Sequence, residues 1–182
     1  METDLSVTPL AGRADRLGAF HTSLAAMAWA TRGDSIEDEF WDEVFDALVL
    51  GAEGEMGMAQ ALISGLAPKS LLRILKTVFA GLDYRFGRRF LARRPFQGLA
   101  AQRPKCLFDQ LAWLTEQADA AVIVATGRRS HHWVLLKDAD EQYLNLSEPA
   151  GASDMASSMR LAVTAINAKS IIVIERRRDR GE

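Results

Sequence analysis

The sequence predicts an α+β fold in which helices come first and a small, mostly antiparallel sheet follows. Two observations predict it. From Ala19 to Glu116 the apolar residues recur at helical spacing, and beyond that point the pattern shortens to β-branched runs, Ala121-Val122-Ile123-Val124-Ala125 and Ile171-Ile172-Val173-Ile174. With 182 residues, 48% of them apolar and 25% charged, there is enough material for one domain with its own core and no sign of a second. That domain is placed at residues 16–176, after a loosely held arm at 1–15 and before a charged tail at 177–182.

The first helix is expected over Ala19 to Ala30. It is rich in Ala, Leu and Met, so apolar that it must be buried on most sides, and it stops near Gly33. A second helix starts with Asp34 or Ser35 as N-cap and has Glu37, Asp38 and Glu39 in a first turn where the helix dipole favours anions. Ile36, Phe40, Trp41, Val44 and Leu48 form its apolar face. Gly51, Gly54 and Gly57 suggest a flexible stretch, after which Pro68 opens a helix through Leu71, Leu75 and Val78 that ends near Gly81. Pro104 introduces another, Lys105 to Glu116. Strands are expected at Ala121–Ala125, His131–Lys137 and Gln142–Leu146, the last two joined as a hairpin by Asp138-Ala139-Asp140-Glu141. Ser153 can cap a helix through about Asn167, and Ser170 to Glu175 completes the sheet.

Charge is uneven along the chain although the formal net charge is only −2. Nine acidic and no basic residues lie between Asp34 and Glu55, and eight basic residues against one Asp83 lie between Lys69 and Arg94. Such faces are ordinarily solvated; the other reading is a docking surface for an oppositely charged partner, through the acidic helix at Asp34 to Asp46 or the basic region at Lys69 to Arg94. The five arginines of Arg85 to Arg94 stand among Phe86, Phe90 and Phe96, but the slightly negative chain carries no nucleic-acid motif, so no nucleic-acid partner is expected. Neither a membrane-spanning run nor a signal peptide is legible, which suggests a cytoplasmic protein. One cysteine, Cys106, and three histidines without a helical His-Glu-x-x-His pattern imply neither a disulfide framework nor a metal or other cofactor.

The chemistry concentrates in Ser130-His131-His132-Trp133-Val134-Leu135-Leu136 and Tyr143-Leu144-Asn145-Leu146-Ser147-Glu148-Pro149. Strand alternation separates His132, Val134 and Leu136 from His131, Trp133 and Leu135, so only one imidazole can join a given pocket. An imidazole acts as a base near neutral pH when a second group fixes its tautomer, and Asn145, Ser147 or Glu148 on the next strand offers that group.

This half of the chain, about residues 104–175, resembles the papain-like cysteine peptidases. The bacteriocin leader-processing peptidases carry His, an aromatic and valines, then an acidic residue before Pro, matched by His132-Trp133-Val134 and Glu148-Pro149. The stretch is also similar to the Josephin deubiquitinases, whose His-Trp, aromatic and Asn-Leu pattern meets Tyr143-Leu144-Asn145-Leu146 and puts the catalytic amide position on Ser147. The resemblance implies a nucleophilic cysteine at the start of a buried helix, in Cys-Gly-Pro followed by small apolar residues, with a Gln upstream as oxyanion donor. Matching that pattern to Gly18-Ala19-Phe20-His21-Thr22-Ser23-Leu24-Ala25-Ala26-Met27 places Ala19 at the nucleophile position and Arg13 near that of the Gln. The function so implied is binding or thiol-dependent cleavage of a peptide or protein, with His132 as base and Asn145 or Glu148 as its orienter. Ala19 has no nucleophile, so the chain as written is a natural pseudoenzyme or a Cys-to-Ala form. Cys106, at a helix start after Pro104 and beside Lys105, is the other place a thiolate could stand, in a permuted arrangement. A non-catalytic interaction module using the acidic or basic helix is the reading from a different class.

Overall fold

A strand can carry an unbroken apolar run only if both faces of its sheet are covered, and Ala120–Ala125 and Ile171–Ile174 are buried runs of that kind. The computed structural model describes residues 18–32, 34–126, 132–140, 143–147 and 158–177. Among them are five α-helices and six strands in one antiparallel sheet of order β1-β6-β2-β3-β4-β5. The helices are α1 (Gly18–Ala30), α2 (Asp38–Met56), α3 (Met58–Ser64), α4 (Pro68–Phe86) and α5 (Pro104–Glu116); the strands are β1 (Arg89–Arg93), β2 (Ala120–Thr126), β3 (His132–Asp140), β4 (Tyr143–Ser147), β5 (Ser158–Ala162) and β6 (Ile171–Arg177). The α+β class read from the sequence is the class found.

The sheet separates two apolar layers. On one face Ala121, Ile123, Ala125, Trp133, Leu135, Ile172 and Ile174 pack with α1, α2 and α4; on the other Val122, Val124, Val134, Leu136, Leu144, Ile171 and Val173 pack with α5. Alternation does the sorting, since neighbouring residues of a strand leave it on opposite sides. Leu107, Leu111 and Leu114, spaced at helical intervals, supply the buried face of α5. The first helix meets its neighbours nearly all round, and its two buried hydroxyls have acceptors: Thr22 donates to the Trp133 carbonyl at 2.8 Å and Ser23 to the Ala19 carbonyl at 2.7 Å.

Several boundaries depart from the sequence reading, each for a physical reason. The second helix begins at Asp38 with Glu37 as N-cap, not at Asp34 or Ser35, because Asp34 is drawn into ion pairs with Arg88 and Arg176. Gly51 is not flexible. It lies inside α2 where that helix crosses α4, and a Cβ there would meet the Ile74 Cγ2 at 2.8 Å. The next helix runs on past Gly81 and is closed instead by Gly87, whose φ of 62° gives the left-handed C-cap. Arg89 to Arg93, read as arginine-rich surface, is an edge strand with Phe90 and Ala92 turned inward. In place of the helix expected from Ser153 to Asn167, the described part of that segment is β5 followed by a 3-10 turn at Val163–Ala165. Neither the arm at 1–15 nor the end of the tail, 178–182, lies among the described residues.

Two measurable consequences follow from this packing. Trp133 is fully buried and its indole Nε1 donates to the Leu66 carbonyl at 2.9 Å. The substitution Trp133→Phe removes that donor and leaves unfilled volume, and should lower the unfolding free energy by about 2–4 kcal/mol in urea titration. His21, stacked on Phe45 with ring centroids 6.0 Å apart, is held by burial below its ordinary pKa of 6.5. The unfolded chain therefore takes up this proton at higher pH than the native one, so the contribution is complete above about pH 6.5 and is lost as pH falls toward the lowered native value. In His21→Phe the drop in urea midpoint between pH 7.5 and pH 5.5 should be smaller than in the unaltered protein.

Candidate functional site

The position of α1 on the sheet fixes which residues can meet. Thr22 bonds the Trp133 carbonyl, and one face of the Trp29 ring lies 4.2 Å from the Lys137 Nζ. From Thr22 to Trp29 the helix advances roughly 10 Å, and from Trp133 to Lys137 the strand advances roughly 13 Å. The helix therefore runs beside β3 in the same direction. Ala19, about 4.5 Å before Thr22 along the axis, is level with the start of the strand, where His132 stands.

The fifth helix reaches that same end from the other face. Only Gln117, Ala118 and Asp119 connect its last residue to β2, and its leucines at 107, 111 and 114 all lie against the sheet. It must run back along β2, roughly 20 Å in 13 residues, which brings Cys106 in its first turn over the end where Thr126 pairs with His132. Two helix N-termini thus flank one end of the sheet, that of α1 with Ala19 on one side and that of α5 with Cys106 on the other. Cys106 is half-buried, and its sulfur accepts from Gln110 Nε2 at 3.1 Å.

His132 is exposed, and alternation groups it with Val134 and Leu136 on the α5 side. Ala19 packs with the cluster on the opposite side. The two are level along the strand and start from different faces. Asn145, expected as a possible orienter, is not brought to His132: it is paired with Asp138, to which its amide donates, six residues and roughly 20 Å along the strand from His132. Ser147 is opposite Leu135, on the α1 side. Glu148, His131 and Arg13 lie outside the described residues.

The charged segments answer one another. Arg73 pairs with Glu55 and Arg85 with Glu43, so the basic α4 neutralises part of the acidic α2 beside it. The remaining arginines of the Arg85 to Arg94 run are also engaged: Arg88 with Asp34 at 3.9 Å, Arg89 with Asp83 at 3.0 Å, Arg93 with Glu175, and Arg94 with the Lys169 carbonyl at 3.1 Å. Among the described residues no helix is long and apolar enough to cross a membrane, and no group of three or more His, Cys, Asp or Glu is placed to hold a metal ion.

One feature of the site region escaped the sequence reading. The β3–β4 register shifts between Leu136 and Asp138, so that Lys137 is an extra, bulged residue. The signal available for it was a lysine directly after Val134-Leu135-Leu136, a charged residue on the side that alternation gives to the buried Trp133 and Leu135. Set against models of known protein families and against curated protein sequences, the chain matches none.

Proposed function

We propose that this protein recognises a peptide or protein segment on a papain-like scaffold in which Ala19 occupies the nucleophile's place, so that it binds without cleaving. The observation that carries the reading is the course of α1: a buried helix laid along the antiparallel sheet, with its first turn level with the His132 end of β3 through the Thr22–Trp133 bond. That is the setting in which a thiolate is useful. A helix N-terminus lowers a thiol's pKa, its backbone N–H groups can receive an oxyanion, and a histidine at the strand start can take and return the proton. An alanine methyl can do none of the covalent steps, which would leave a protein that binds a peptide without cutting it. Glu148 is then the orienter that the resemblance names, and Asn145 has no part in it. For His132 to serve position 19, its ring turns past the end of the sheet. A partner drawn to the acidic or basic helix has less behind it, because those two helices spend charge on each other.

The test restores the missing atom. In Ala19→Cys/Cys106→Ser, a peptide aldehyde or vinyl sulfone should label position 19 far faster than a free thiol, and adding His132→Ala should slow labelling by about 100-fold. Labelling no faster than a free thiol, and indifferent to His132, overturns the reading.

A second reading is favoured by the side from which His132 starts. It shares the α5 face with Cys106, whose helix begins at the same sheet end, and a Cys106–His132 pair would make the chain an active thiol enzyme of permuted order. In the unaltered protein the same probe would then label Cys106, and His132→Ala would slow it by a similar factor. Equal rates with and without His132 exclude that pair.

A further inference from the structure

Lys137 differs from the other four lysines of the chain. Lys69, Lys76, Lys105 and Lys169 are exposed, whereas Lys137 is half-buried on a β-bulge with its ammonium 4.2 Å from the centre of the Trp29 ring. A second cation attends the same ring: the Arg32 guanidinium carbon is 4.9 Å from its centre. Arg32 is fixed there by two backbone acceptors, the Trp29 carbonyl at 3.0 Å and the Gln117 carbonyl at 2.9 Å, which leaves most of its five N–H donors for other use. Neither Lys137 nor Arg32 has a carboxylate partner among the described residues.

We propose that Lys137 is a reactive amine, selective for small aldehydes that carry a carboxylate or phosphate group, with Arg32 as the anion's partner. Lysine becomes a nucleophile when it is desolvated, and Lys137 is half-buried against a ring that the Arg32 guanidinium also meets. Burial holds the Lys137 amine below its ordinary pKa, which enlarges the neutral fraction able to attack. In the step itself the nitrogen lone pair forms a bond to the aldehyde carbon and the carbonyl oxygen takes up a proton. The carbinolamine then loses water to leave an imine, with no oxidant or reductant consumed. Residue 137 shares the α1 side with Trp133 and Leu135 by alternation, and the bulge turns Asp138 to pair with Asn145. This inference does not depend on position 19 or on His132.

The experiment uses the whole protein at neutral pH with limiting glyoxylate, trapping the imine with cyanoborohydride and reading each lysine by peptide mass spectrometry. Lys137 should be modified about fivefold faster than the mean of the other four, an advantage of the size one nearby charge confers on a half-exposed group. Arg32→Gln should remove the preference for glyoxylate over uncharged propionaldehyde, and Lys137→Arg, which keeps a cation over Trp29, should abolish the fast site without altering the fold. Modification of Lys137 at or below the rate of the exposed lysines, or an unchanged glyoxylate preference in a folded Arg32→Gln, overturns the proposal.

Discussion

Trp133 ties together three parts of the chain that are far apart in sequence. Its carbonyl accepts the Thr22 hydroxyl of α1, its indole nitrogen donates to Leu66 just before α4, and its ring is fully buried between them and the sheet. A buried tryptophan must find an acceptor for its N–H, and a buried threonine one for its hydroxyl, so each bond here answers a desolvation cost rather than adding an optional contact. The consequence is positional. Because Thr22 is held at residue 133, the axial level of the whole first helix is set, and with it the place of Ala19 against the start of β3. If the helix slid by one turn, the Thr22 hydroxyl would be left unpaired in an apolar layer.

The same logic of internal satisfaction governs the charges. Read along the chain, an acidic block followed by a basic block resembles two docking faces. Folded, the blocks lie on adjacent helices and reach across to each other, and Asp34 and Glu175 take up arginines from β1, β6 and the segment before them. Exposed pairs of this kind contribute little stability each, on the order of 0–1 kcal/mol. Their effect is to fix which helix faces sit together and to leave less uncompensated charge for a partner.

What could be read from the sequence was whatever depended on period. The short β-branched runs, the helical spacing of Leu107, Leu111 and Leu114, and the buried nature of α1 were all legible because burial on one or both faces leaves a repeat in the residue types. What could not be read depended on contacts between distant segments. Gly51 looks like a breaker until Ile74 is seen against it, Asp34 like a cap until Arg176 claims it, and Arg89 to Arg93 like a solvated patch until β6 pairs with it. The helix proposed after Ser153 failed because capping signals are local and strand pairing is not: β5 exists by lying against β4.

The candidate site shows how a single inserted residue limits such reading. Alternation along an unbroken strand places His132, Val134, Leu136 and Asp138 on one face, and an amide opposite Asp138 would share that face with the histidine. The bulge at Lys137 reverses the parity beyond it, so Asp138 and Asn145 come up on the α1 side, roughly 20 Å along the strand from any role beside His132. Parity before the bulge still holds, and it sets the question that the site poses. His132 begins on the side of Cys106 and at the level of Ala19. Level along the strand and side of the sheet are thus separate constraints on which helix start His132 serves: the Thr22–Trp133 bond sets the first and alternation the second.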